Sequence, residues 1–161
     1  MFQKRYLIIC LLLPVLVCVS ACAKKSLSLE YQYSSEGSSE DIKIEGSKIT
    51  YVHTDYEKIK ERCAQWIQQA PCWTEEDLIT EESQLTEEEI SNLSNLVEET
   101  RIMQLDSYYG PSVEARCYSH ILKIQKKEIN YCNGFDSPER PVAFGTIEDQ
   151  LQKIVAQKFQ K

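Results

Sequence analysis

The chain is poor in glycine, histidine and positive charge, and each shortage removes a class of chemistry. Its five glycines never gather into a loop that could cradle a phosphate. His53 and His120 are the only imidazoles from which a hydrolase base could be drawn. No Cys-x-x-Cys occurs and the histidines lack ligand spacing, which argues against zinc. Lys and Arg number 18 against 25 Asp and Glu, for a net charge of −7. Nucleic-acid phosphates need clustered cations, so nucleic acid is not an expected partner. No repeat or low-complexity segment is present, and no motif calls for a cofactor.

What is there begins with a short apolar run, Leu7 to Val19, behind Lys4 and Arg5. It falls short of the ~20 residues a spanning helix needs. Its length and flanks fit an export signal. Val19-Ser20-Ala21-Cys22 closes it, and aliphatic-small-small-Cys resembles the lipobox of bacterial lipoproteins. The resemblance covers residues 1 to 22. It implies that residues 1 to 21 are removed, and that Cys22 becomes an acylated, diacylglycerol-linked N-terminus held in a lipid bilayer. Two or more chains anchor stably where one does not. Cys18 is a competing acceptor, but Cys22 ends the run and has small residues before it. A plain secretory signal ending in cysteine is the competing reading. Ala23, where Asp could stand, implies the outer membrane if the cell has two. Lys24 and Lys25 would meet anionic headgroups beside the anchor.

Removing the signal takes Lys4 and Arg5 and moves the net charge to −9. The 140 residues left suit a single domain with a real core. Residues 22–26 read as a short tether and 27–161 as one domain. Four cysteines remain, Cys63, Cys72, Cys117 and Cys132, and an even number in an exported domain reads as two disulfides. Pairing of neighbours is the first expectation, and a crossed pairing that joins the two halves is the alternative. Continuous helix from Cys63 would hold it too far from Cys72, so the chain must fold back near Pro71. A tight hairpin over 117–132 would set Cys132 opposite Ile121, so that a bulge is required.

Leu27, Leu29, Tyr31 and Tyr33 alternate with polar residues, as on a half-buried strand. A turn at Gly46-Ser47 would pair Ile44 with Ile49 and Ile42 with Tyr51 on one face. Apolar spacing of three and four from Tyr56 to Ala70 predicts a helix, with Thr54 and Glu57 as a capping box. Residues 72–84 read either as one helical turn capped by Thr74 and Asp77 or as an edge strand. Thr86 with Glu89, stapled by Leu85 on Ile90, starts a second helix. A late hairpin turning at Lys126-Lys127 sets Leu122 against Tyr131 and Ile124 against Ile129. A last helix is expected from Ile147 to Phe159, capped by Thr146, with Leu151, Ile154 and Val155 inward. Together these predict an α+β domain: an antiparallel sheet of about five strands with two or three helices on one face, stapled by disulfides.

The bland reading outweighs the chemical one at most candidates. His53 ends a strand and His120 lies on an apolar strand face, so a structural role is expected of both. The acidic runs at 75–77, 81–82 and 87–89 lack the EF-hand pattern, and the last suits a helix start. Surface recognition remains. Trp73, Tyr108, Tyr109 and Phe135 fall in expected loops, where aromatics anchor many interfaces, although folding over the sheet edges as satellite core is the commoner fate of such residues. Leu85-Thr86 leading into Glu88-Glu89, then Leu105-Asp106-Ser107-Tyr108 and the late hairpin, resemble small bacterial α+β domains of unassigned function. Emfourin-type metalloprotease inhibitors share that grammar. The likeness spans about half the mature chain by pattern and transfers no functional residue. The expectation is a lipid-anchored envelope protein that binds another envelope component, a protein, without catalysis of its own. Inhibition of a protease through Ser107 to Pro111, or a small hydrolase or thiol enzyme, are the alternatives.

Overall fold

A computed structural model describes residues 26–67, 70–111 and 116–160; the signal and Cys22 lie outside the described residues. The sheet grows from the expected alternations. Strands β1 (Ser28–Ser34), β2 (Ser39–Glu45) and β3 (Lys48–Thr54) form a meander. Gly46, at a φ of 64°, turns β2 into β3 with Ile44 opposite Ile49 and Ile42 opposite Tyr51, as the pattern predicts. Helix α1 (Tyr56–Ala64) leads to a 3-10 turn and β4 (Leu78–Gln84). Helix α2 (Glu87–Glu99), β5 (Tyr108–Tyr109), β6 (Cys117–Ile124), β7 (Lys127–Gly134) and α3 (Val142–Lys158) complete the described chain.

The sheet is seven-stranded in the order β4-β3-β2-β1-β6-β7-β5. It is antiparallel except where β5 joins β7 in parallel. The expected five strands are its centre. The two extra strands are its edges, and their signals are weak for a physical reason. β5 is two residues long and pairs with residues 22 positions later, so no period exists to read. The segment 72–84 turns out to hold both expected readings in succession, a capped 3-10 turn and an edge strand.

Leu29, Tyr31, Ile42, Ile44, Ile49, Leu122, Ile124 and Ile129 bury one sheet face against α2 and α3. α2 contributes Leu93, and α3 contributes Phe144, Ile147, Leu151, Ile154 and Val155. Thr86 and Glu89 cap α2 reciprocally, as expected, at 3.2 and 2.6 Å. The opposite face carries the half-buried ion pair Lys123–Glu30 and the exposed pair Lys48–Glu82, the second of which contributes little.

α1 differs from expectation. Its cap is Asp55, because Thr54 is buried and spends its hydroxyl on the backbone of Ser39 at the start of β2. The helix stops at Ala64, where Cys63 bonds Cys72 and Arg62 donates to the Cys72 carbonyl at 2.6 Å. Only Ile59 of the expected stripe is buried, and α1 adds nothing to the main core. Arg62 and Lys58 instead pair with the buried Asp77, whose carboxyl hydrogen bonds from Thr74 hold far below the usual range. α3 starts five residues earlier than expected. Pro141 presets the first turn, and Thr146, rather than capping, donates back to Val142.

Both disulfides join neighbours, Cys63–Cys72 and Cys117–Cys132, with Cα separations of 5.5 and 5.4 Å. No bulge is needed for the second. The hairpin turns at Gln125-Lys126, pairing Leu122 with Ile129 and Ile124 with Lys127. This register differs by two residues from the expected one, which leaves every side chain on its face. It sets Cys132 opposite Ser119, diagonal to Cys117. Gln125 sits at a φ of 56°, a region that costs a side chain roughly 1–2 kcal/mol. Gln125→Gly is expected to raise unfolding free energy by about 0.5–1 kcal/mol after the added chain entropy of glycine. Urea denaturation of both proteins measures it.

Candidate functional site

One row beyond the apolar core, the helix-covered face turns polar. The ladder aligns His53 with Glu40, Glu40 with Tyr33, Tyr33 with His120 and His120 with Tyr131. Both histidines therefore share one row, with β2 and β1 between them. At ~4.8 Å per strand they stand about 14 Å apart.

Below His120 lies a closed network. Tyr31 is 2% exposed and donates its hydroxyl to Glu148 Oε1 at 2.5 Å. His120 Nδ1 lies 3.0 Å from the Tyr31 oxygen and 3.2 Å from the same carboxylate oxygen. Arg140 donates to Glu148 Oε2 at 2.5 Å. Tyr31 has one proton and gives it to Glu148, so hydrogen-bond logic puts the His120 proton on Nδ1. In the neutral ring Nε2 is then an acceptor. Burial raises the Glu148 pKa, but the bonds from His120 and Tyr31 and the nearby positive charges outweigh it and keep the group below the usual glutamate range. Tyr31 is pushed far up, by burial first and then by Glu148.

Gly145 permits the Arg140 contact. A Cβ there would meet the guanidinium 2.9 Å from Nε, so a helical glycine lets Arg140 lie against α3. Glu148 itself falls on the buried stripe of α3, between Phe144 and Leu151. A charge on such a stripe is the signal that sequence reasoning missed.

The network opens onto a shallow pocket of about 380 Å³. Tyr33, Glu40, Tyr118, His120, Asn133 and Gln152 line it, with Glu148 behind. Gln152 donates to Glu40 at 2.8 Å, and the Tyr33 and His120 rings are 4.8 Å apart. Toward the β4 edge, Tyr51 stacks between His53 and Phe159, and His53 Nε2 is 3.3 Å from Glu81. No serine, threonine or cysteine occurs among the described lining residues, so His120 and Glu148 have base and orienter geometry without a serine-, threonine- or cysteine-type nucleophile beside them. Among the described residues no group of three His, Cys, Asp or Glu is arranged to hold a metal ion.

No protein-family model matches the chain, and no curated protein matches it.

The aromatic residues expected to recognise a partner divide into two pairs. Trp73 is half-buried and donates its indole N–H to the Ser35 carbonyl at 3.0 Å. Tyr109 packs against the core, and its hydroxyl accepts the Asp106 N–H. Tyr108 and Phe135 stay exposed, Phe135 at 93%. The segment Ser107 to Pro111, expected as a loop, is fastened to β7 through β5 and through Asn130 N–H donating to the Ser107 carbonyl. All four described cysteines are in disulfides, Cys63 and Cys72 in one and Cys117 and Cys132 in the other.

Proposed function

We propose that the protein is an envelope lipoprotein, anchored through acylated Cys22, whose domain binds another envelope protein and is not catalytic. The observation that carries the reading is where its exposed apolar residues lie. β1 starts beside the two hairpin turns, with Leu27 and Ser28 carbonyls accepting from Gly46 and Gln125. The tether would enter at that end. β1 then runs about 20 Å to Ser34. At this far end Tyr56 follows β3, Ile79 begins β4, Tyr118 begins β6 and Phe135 follows β7. Ile67, in the turn after α1, is 96% exposed. Among the described residues, five of the eight large exposed apolar side chains thus lie at strand ends or turns remote from the anchor. Such residues act as anchors in protein interfaces. No described helix is long and apolar enough to cross a membrane, which leaves membrane attachment in this reading to the lipid.

Photo-cross-linking in intact cells tests the contact. A photoreactive residue at position 135 is expected to give one discrete protein adduct, and the same residue at 103, near the turns, none. Equal labelling from both, or none from 135, would overturn the reading. A second reading rests on the pairing of His120 with Glu148, which could activate water. An activity of the intact protein abolished in His120→Gln with unfolding unchanged would establish it in place of the first.

A further inference from the structure

We propose that the pocket in front of His120 binds a neutral saccharide, with one pyranose ring against Tyr33 and Tyr118 and its hydroxyls on Asn133, Gln152 and His120. This goes beyond the protein contact proposed above and stands apart from it. The pocket of about 380 Å³ lies at the small end of the ~300–1,000 Å³ range of ligand sites.

The lining decides the chemistry by elimination. An anion would face the carboxylates of Glu40 and Glu148. The guanidinium that could offset them, Arg140, is already held by Glu148 and Asp149. A cation would have to displace donors already on both carboxylates, of which Glu148 is ion-paired with Arg140 and Glu40 keeps an unmatched charge among the described residues. Glu148 has Tyr31, His120 and Arg140 as donors, and Glu40 takes Gln152 and lies against the Tyr51 hydroxyl. A wholly apolar ligand would strand the amides and the imidazole without water. A ligand with no charge, many hydroxyls and an aliphatic ring face remains.

The groups left open match it. Among the described residues the one buried side-chain atom without a partner is Asp41 Oδ1, on the opposite sheet face. The pocket's polar groups are thus either satisfied or open to water. Asn133 offers an amide donor and acceptor, and Nε2 of His120 an acceptor fixed in direction by the Nδ1 bonds beneath it. Tyr33 is braced by the His120 ring and supplies an aromatic wall.

Saturation-transfer NMR on the full lipoprotein in sugar-free detergent tests the inference. The probes are N-acetylglucosamine, chitobiose, maltose and cellobiose, with choline and inorganic phosphate as charged counterparts. Saturation of ring protons is expected for at least one sugar, weakened at least tenfold by Asn133→Ala and unchanged by Lys126→Ala at the far turn. Transfer to choline or phosphate alone, silence from all four sugars, or full binding by the Asn133 variant would each overturn it. The adduct at position 135 is scored separately. An adduct that persists while the sugars stay silent removes the saccharide site and leaves the protein contact standing.

Discussion

Glu148→Ala should lower the unfolding free energy by about 3 kcal/mol at neutral pH, the lower part of the range for breaking a buried pair. The carboxylate is 7% exposed and has three donors, so its loss strands the Tyr31 hydroxyl and the His120 N–H inside the fold. Arg140 reaches solvent and recovers some hydration, which keeps the figure from the top of the range. Glu148→Gln keeps an acceptor for Tyr31 and should cost less. The pH dependence has a definite sign. The folded protein holds Glu148 below its ordinary pKa, so the ionised network stabilises above the unfolded value of about 4.3 and the gain is lost as pH falls. Wild type and Glu148→Gln should therefore differ in urea midpoint at pH 7 and converge only once the pH has fallen through the depressed folded-state pKa of Glu148. A gap that persists at low pH would mean that packing, not charge, explains the difference.

Removing Cys117–Cys132 should cost a similar amount. The bond closes a loop with a sequence separation of 15, for which chain entropy predicts about 3 kcal/mol. Cys63–Cys72, with a separation of 9, should contribute about 0.5 kcal/mol less. The two losses should also differ in place. The first bond staples β6 to β7, the strands that carry His120, Tyr118 and Asn133. The second holds α1 against the turn before β4, outside the main core. Paired Cys→Ser variants measured by urea unfolding and amide hydrogen exchange separate them. Loss of protection should spread through β6 and β7 in the first and stay near α1 in the second.

Periodicity made the centre of the fold legible. Alternation in residues 27–33, 42–51 and 118–131 gives the five central strands, and the Gly46-Ser47 turn gives its register. It failed where a period is too short or too symmetric to carry information. β5 has two residues. The last hairpin slipped by two because a two-residue slip changes no face, and glutamine at a positive φ does not announce a turn. α1 ended early because a disulfide bent the chain away from a spacing that continued to look helical.

The candidate site was less legible than the fold. His120 was read as a polar residue on an apolar strand face, whereas Glu148, a charge on an apolar helical stripe, was missed. Their meeting was not visible, because 28 residues separate them and the contact depends on how α3 crosses the sheet. The residues alone decide the alternating strands, the capped start of α2 and the even cysteine count, since each depends on neighbours within a few positions. Folding decides the pairing of Tyr31 with Glu148 across 117 residues, and the polar row that aligns His53, Glu40, Tyr33 and His120. Those depend on which strands become neighbours and on the angle at which a helix covers them. Such long-range geometry is set by the packing of the whole core and leaves no local trace in the chain.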